Sequence, residues 1–124
     1  MWAALPPAIS ACIEERRVGS VEGMGAAIAA GEQYHAALLD SIHSEEQVWN
    51  EFQRAVQLVC VGGLILIHDA WFVGGTVELA LRRIEAAGYG VARLWTAESG
   101  IREDDHLGLA VIENRIRGAP NVQM

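Results

Sequence analysis

The stretch that decides the fold is LLDSIHSEEQ, residues 38–47, which ends an apolar run and opens a capped helix. The run Tyr34 to Leu39 is continuously apolar apart from one histidine, which is typical of a strand buried on both faces. Ser44 begins a capping box, S-E-E-Q, in which Ser44 and Gln47 can each satisfy a backbone N–H group. Apolar residues then recur at helical spacing to about Val59. The stretch therefore predicts one strand followed directly by one helix.

The same order repeats further along the chain. Gly62-Gly63 ends the first helix, and Leu64 to Ile67 is predicted to be a second buried strand. A second helix is predicted from about Thr76 to the C-cap Gly88. This alternation predicts a single α/β domain, residues 1–124, with a Rossmann-like, mostly parallel sheet and helices on both faces. Two further strands are predicted to close the chain as an antiparallel hairpin: Tyr89 to Trp95 and Leu107 to Ile112.

The N-terminal third offers two interpretations. A short helix is predicted from Pro6-Pro7 through Arg16, since proline is tolerated in a first turn. This helix is followed by a predicted strand, Arg17 to Val21, and then by the glycine-containing loop EGMG and a weak helix, Ala26 to Ala30. A Gly-x-Gly between strand and helix also begins the dinucleotide-binding fold, with Asp40 as the ribose-binding acid. The alternative places the same loop after a later strand of a larger sheet.

Composition restricts the classes of partner. The net charge of −7 argues against nucleic acid and anionic membranes, because both require a basic surface. The N-terminus lacks the pattern of a signal peptide, and no apolar run reaches the ~20 residues of a membrane span. A cytoplasmic protein is expected. Hydrophobic residues make up 52% of a small chain, which indicates a fully covered sheet or a surface for self-association.

Acids and histidines follow both predicted buried strands. Asp40 and Asp69 come at the strand ends, and neighbouring parallel strands would bring those ends within about 5 Å. Two carboxylates that close repel each other unless a cation or a proton lies between them. His43 and His68 belong to the same edge, where open α/β sheets bind ligands. Mg²⁺ would suit the carboxylates, imidazoles would also admit a transition metal, and Trp71 could contact a substrate.

The segment from LLDSIHSEEQ to VELALRRI, residues 38–84, resembles the second half of a class I S-adenosylmethionine-dependent methyltransferase. The similar branch has a fourth strand ending in an LDGxH-like motif and a fifth strand reading GGxxxxHD. The resemblance extends from about Arg17 to Arg115. Ser41 stands where the family usually has glycine, and Val61 stands where proline often precedes the glycine pair.

This resemblance implies O-methyl transfer from S-adenosylmethionine to a small hydroxylated acceptor, assisted by a divalent cation such as Mg²⁺. It implies that a histidine placed like His43 removes the acceptor proton, and that Glu22, Gly23 and Met24 line the adenine of the cofactor. The residues assigned to sites are, for the metal, Asp40, Asp69 and His68; for catalysis, His43; and for the cofactor, Glu22, Gly23, Met24 and Asp40.

The family's principal glycine-rich cofactor turn would lie well before Arg17, yet only 16 residues precede it and none is glycine. The chain is therefore expected to be truncated relative to the full methyltransferase fold. The strand Tyr34 to Leu39 would then have an unpaired edge, which invites association. The strand Arg17 to Val21 could fill that edge, or a second copy of the chain could pair there. A homodimer or higher homo-oligomer is expected. The alternative functions are a non-catalytic assembly or binding module and a small nucleotide-binding domain.

Overall fold

The computed structural model describes residues 4–71, 74–94 and 108–115. None of the helices in these ranges is both long and apolar enough to cross a membrane. Helices and strands alternate from the first strand to the third, which confirms the predicted α/β architecture. The elements are α1 (Pro7–Ser10), α2 (Ser20–Ala29), β1 (Tyr34–Leu39), α3 (Glu45–Leu58), β2 (Val59–His68), α4 (Thr76–Ala86), β3 (Val91–Leu94) and β4 (Leu109–Glu113).

The four strands form one open, mixed sheet in the order β1-β2-β4-β3. β1 runs parallel to β2, with Leu39 opposite Ile67. β4 lies between β2 and β3 and is antiparallel to both, which confirms the predicted antiparallel closing pair. Trp95 and Leu107, predicted to belong to these last strands, lie outside the described residues.

The helices cover one face of the sheet. α3 packs on β1 and β2 and contacts both α2 and α4, so the three helices form a single layer. This differs from the predicted cover on both faces. On the other face Leu38, Leu64 and Leu94 remain 59%, 42% and 49% exposed. The core between helices and sheet contains six large, fully buried side chains: Phe52, Ile65, Ile67, Leu81, Ile84 and Ile112.

The N-terminal third differs from the prediction. The predicted strand Arg17 to Val21 is wrong, because helix α2 already begins at Ser20 and contains the EGMG segment. Each glycine in a helix costs about 1 kcal/mol relative to alanine, and the packing of α2 on α3, with Ala27 buried, offsets that cost. The first helix, predicted to reach Arg16, ends at Ser10.

Helix α3 begins as its capping signal predicts. The Ser44 side chain accepts a hydrogen bond from the backbone N–H of Gln47 at 3.2 Å. The Gln47 side chain does not return to Ser44 but donates to Ser20 Oγ at 3.0 Å, which ties α3 to α2. β2 starts at Val59, earlier than predicted, because the glycine pair forms an irregularity inside the strand rather than a stop before it.

Asn114 fixes the junction between α3 and β2 to the end of β4. Its side chain is fully buried, and its Nδ2 atom donates to the carbonyl oxygens of Val56 at 3.0 Å and Val59 at 2.7 Å. Its backbone N–H donates to Gly63 O at 2.8 Å, and its carbonyl accepts from Gly62 N at 2.7 Å. The strand that ends in the histidine–aspartate pair is therefore held at its opposite end by one buried amide.

Candidate metal centre at the strand ends

The parallel pairing of β1 and β2 brings the predicted acids to one rim. Leu39 lies opposite Ile67, so Asp40 and His68 follow at the same level, and Asp69 comes one residue later. Asp69 has a φ of 57°, a left-handed conformation that aspartate tolerates better than most residues. The turn at Asp69 ends the strand. The convergence that the sequence predicts for these residues is present in the structure.

Two imidazoles lie against the two carboxylates. Asp69 Oδ2 is 2.7 Å from His43 Nε2, and Asp69 Oδ1 is 2.9 Å from His68 Nδ1. Asp40 Oδ1 is 3.2 Å from His68 Nδ1 and 3.9 Å from His43 Nε2. Within the described part of the chain, Asp40, His43 and Asp69 each offer one ligand atom, and these atoms all lie within 4.8 Å of one another.

The cluster is buried on one side and open on the other. The Asp69 side chain is 5% exposed, whereas the Asp40 side chain is 50% exposed. A buried carboxylate is costly unless it is paired or binds a cation. Asp69 therefore forms the inner wall of a small acidic site, and Asp40 forms its solvent-facing side.

The backbone around His43 is tied to helix α4. The Thr76 hydroxyl, at the first residue of α4, donates a hydrogen bond to the carbonyl oxygen of His43. Trp71, two residues beyond Asp69, packs its indole ring over Gly108, where a Cβ atom would lie only 1.7 Å from the ring. The indole is partly exposed. Both loops that carry the cluster are thus anchored to neighbouring elements.

A cavity of about 440 Å³ lies beside the free edge of β1, within the ~300–1,000 Å³ of small-molecule pockets. Inside it lies Glu51, which is 2% exposed; Ser41 Oγ donates to its Oε2 atom at 2.6 Å and Gln47 Nε2 at 3.5 Å. Asp40 borders this cavity as well as the histidine cluster. Its lining residues are Ser20, Met24, Tyr34, Ala36, Ala37, Leu38, Leu39, Asp40, Ser41, Glu51, Leu58 and Val59, none of which is basic.

The predicted cofactor residues are only partly brought together. Met24 and Asp40 line the 440 Å³ cavity, and Gly23 joins Met24 in an adjacent cavity of about 250 Å³. Glu22 is exposed on α2 and lines neither. The predicted loop for Glu22, Gly23 and Met24 is wrong, since all three lie in a helix. Their assignment to a cofactor stays a prediction.

Sequence reasoning missed Glu51 because a charged residue is expected on the solvent side of a helix. One signal was present. Glu51 comes three residues after Val48 and four before Ala55, both in the apolar stripe of α3, so helical spacing puts it on the buried side.

Neither the protein-family models nor the curated proteins compared with this chain give a match. The methyltransferase family is therefore a resemblance carried by two sequence motifs.

Proposed function

We propose that the rim formed by Asp40, His43, His68 and Asp69 binds a divalent cation and a small hydroxylated molecule, as one part of a methyltransferase reaction. The observation that carries this proposal is the convergence of two carboxylates and two imidazoles. The ligand atoms of Asp40, His43 and Asp69 lie within 4.8 Å of one another, and His68 Nδ1 lies 2.9 Å from Asp69 and 3.2 Å from Asp40. Oxygen and imidazole ligands of this kind suit Mg²⁺, Mn²⁺ and related cations.

The two imidazoles take different roles in this proposal. His68 Nδ1 lies close to both carboxylates, at 2.9 Å and 3.2 Å, so it is assigned with Asp40 and Asp69 to the cation. His43 Nε2 lies 2.7 Å from Asp69 but 3.9 Å from Asp40, which is the arrangement of an acid–imidazole pair. His43 is therefore assigned as the base, with Asp69 orienting its ring.

These residues can perform proton removal next to a bound hydroxyl group. A bound divalent cation would supply Lewis acidity that lowers the pKa of that hydroxyl. A neutral imidazole can accept a proton near pH 7. Because His43 Nε2 faces the Asp69 carboxylate and would donate its N–H to it, the other ring nitrogen, Nδ1, would take the hydroxyl proton. S-adenosylmethionine would supply the methyl group, and the transfer itself requires mainly in-line positioning. The cavity that shares Asp40 with the cluster is the proposed place for that donor.

The alternatives differ in what they require of the molecule. A dinucleotide site of the predicted kind needs a glycine turn between strand and helix, and Gly23 and Gly25 lie inside α2 instead. A non-catalytic assembly module is favoured by the exposed apolar face of the sheet, where Leu38, Leu64 and Leu94 are uncovered. That module would need no cation.

Thermal unfolding with Mn²⁺ tests the cation site. We expect Mn²⁺ to raise the melting temperature of the wild type and of Glu15→Gln, which changes an acid of an exposed surface pair, but not of Asp40→Asn or Asp69→Asn. An equal rise in all four proteins would exclude the site. His68→Gln should lose the effect and His43→Gln should retain it; the reverse would exchange the roles of the two histidines.

Calorimetry with S-adenosylmethionine and with S-adenosylhomocysteine tests the methyl-transfer part separately. Heat of binding with either compound supports it. Absence of heat with both, while Mn²⁺ still binds, would reject methyl transfer and leave a cation-binding module.

A further inference from the structure

The cavity of about 440 Å³ beside β1 combines apolar walls with negative charge. Two of its lining residues, Asp40 and Glu51, are acids, and none of the described lining residues is basic. Apolar side chains such as Met24, Leu39 and Leu58 form much of the remaining wall. A ligand that fills this cavity therefore meets apolar contacts and two carboxylates.

Glu51 offers this cavity a buried carboxylate oxygen that has no donor. Its side chain is 2% exposed. Its Oε2 atom accepts from Ser41 Oγ at 2.6 Å and, at a long 3.5 Å, from Gln47 Nε2, whereas no residue in the described part of the chain donates to Oε1. Arg83, which pairs with acids of α3, binds those of its first turn instead. Because Glu51 lines the cavity, Oε1 is the atom that it presents to a ligand.

We propose that this cavity selects small organic cations, whose ammonium group donates a hydrogen bond to Glu51 Oε1. Burying a carboxylate without a charged or strong donor partner is costly, and hydrogen bonds between ionised groups are roughly twice as strong as neutral ones. A neutral hydroxyl ligand would satisfy the oxygen without balancing its charge. A phosphate or carboxylate ligand would add like charge beside two acids. The predicted class is therefore a primary amine on an apolar body.

This inference rests on the proposed function in taking the cavity as a ligand site, and it adds the chemical class that the cavity accepts. S-adenosylmethionine belongs to that class, because it carries an ammonium and a sulfonium group against one carboxylate. The adjacent cavity of about 250 Å³ shares Met24, Tyr34 and Leu58 with the larger one. The body of a longer amine can therefore extend into it.

Three small probes test the selection by charge: benzylamine, benzyl alcohol and benzoate, which are similar in size and differ in their polar group. Magnetic resonance titrations of the wild type are made in about 0.15 M salt, which screens the attraction of the whole chain for cations. Benzylamine should shift the backbone amide signals of Leu39, Ser41 and Glu51 and bind roughly tenfold more tightly than benzyl alcohol. Benzoate should shift none of these signals. Absence of shifts with benzylamine, or equal affinity for benzylamine and benzyl alcohol, would overturn the inference without depending on the folding of any variant.

Glu51→Gln tests the carboxylate itself. Glutamine keeps the volume and an acceptor for the Ser41 hydroxyl but removes the charge, so it should weaken benzylamine binding roughly tenfold. Glu46→Gln makes the same change of net charge on the same helix, at a side chain that is 73% exposed and outside the cavity. It should keep the wild-type affinity. Equal weakening in both variants, or none in Glu51→Gln, would reject the role of Glu51.

Calorimetry of S-adenosylmethionine with the same proteins separates this inference from the proposed function. We expect weaker binding to Glu51→Gln than to the wild type and to Glu46→Gln. Equal binding to the wild type and Glu51→Gln would reject the inference and leave the methyltransferase proposal standing. No heat with any of them, while benzylamine binds through Glu51, would reject the methyl donor and keep the amine site.

Discussion

Replacement of Asn114 by alanine is expected to remove a large part of the stability of this domain. The Asn114 side chain is fully buried and donates to two carbonyl oxygens, those of Val56 and Val59. Without it both carbonyls lose this donor, and each unsatisfied buried group costs about 1–3 kcal/mol. We therefore expect the free energy of unfolding to fall by about 2–6 kcal/mol, from the ~5–15 kcal/mol typical of domains.

Urea unfolding measures this loss. With an m-value of about 1.5 kcal/mol/M, the midpoint should fall by roughly 1–4 M. Asn114→Asp conserves the volume but turns an acceptor toward the two carbonyls, so it should be at least as destabilising as alanine. The exposed neighbour Glu113→Gln is the control and should stay within about 0.5 kcal/mol of the wild type. An Asn114→Ala protein as stable as that control would refute the role given to the buried amide.

Three further predictions concern the glycine pair, the helix cap and one ion pair. Gly63→Ala would set a Cβ atom 2.4 Å from a backbone carbonyl oxygen, whereas nothing lies within 4 Å of a Cβ atom at Gly62, which has a φ of +87°. Urea unfolding should show that Gly62→Ala lowers the free energy of unfolding by about 1–3 kcal/mol through backbone strain alone, and that Gly63→Ala lowers it more. The reverse order would contradict the reasoning. Ser44→Ala removes the α3 cap and should cost about 1 kcal/mol by the same assay, with no change if the cap is unimportant. The hydrogen bond from Arg93 lowers the pKa of Glu85. The stability that this pair contributes is therefore present above the ordinary carboxyl pKa and is lost as the pH falls below it. Arg93→Gln should reduce the loss of stability between neutral and acidic pH, and an unaltered pH profile would count against the pair.

Much of the fold follows from local sequence signals. The apolar run Tyr34 to Leu39 gives β1 with its predicted bounds, and the Ser44 capping signal gives the first turn of α3. Those local signals suffice because the apolar run of β1 and the capping signal of α3 both place the end of the strand and the start of the helix within the same few residues. The parallel strand ends then bring Asp40 and Asp69 to one rim as a geometric consequence.

The failures have physical causes. Glycines in EGMG predict a loop, but contacts of α2 with α3 outweigh a cost of about 1 kcal/mol per glycine. Asn114 was not anticipated, because its burial is defined by partners distant in sequence, such as Val56. Glu51 was not anticipated, because a charged residue is expected on the solvent side of a helix. The uncovered face of the sheet could not be predicted either, since continuous apolar strands suggest cover on both sides.

The most direct measurement of the central claim is anomalous X-ray scattering from crystals grown with Mn²⁺. Our account predicts a peak at the β1–β2 rim, about 2.0–2.6 Å from carboxylate oxygens of both Asp40 and Asp69. It also predicts that the peak disappears in Asp69→Asn crystals. Well-ordered density for both aspartates without a Mn²⁺ peak between them, or a peak that persists in Asp69→Asn, would contradict it.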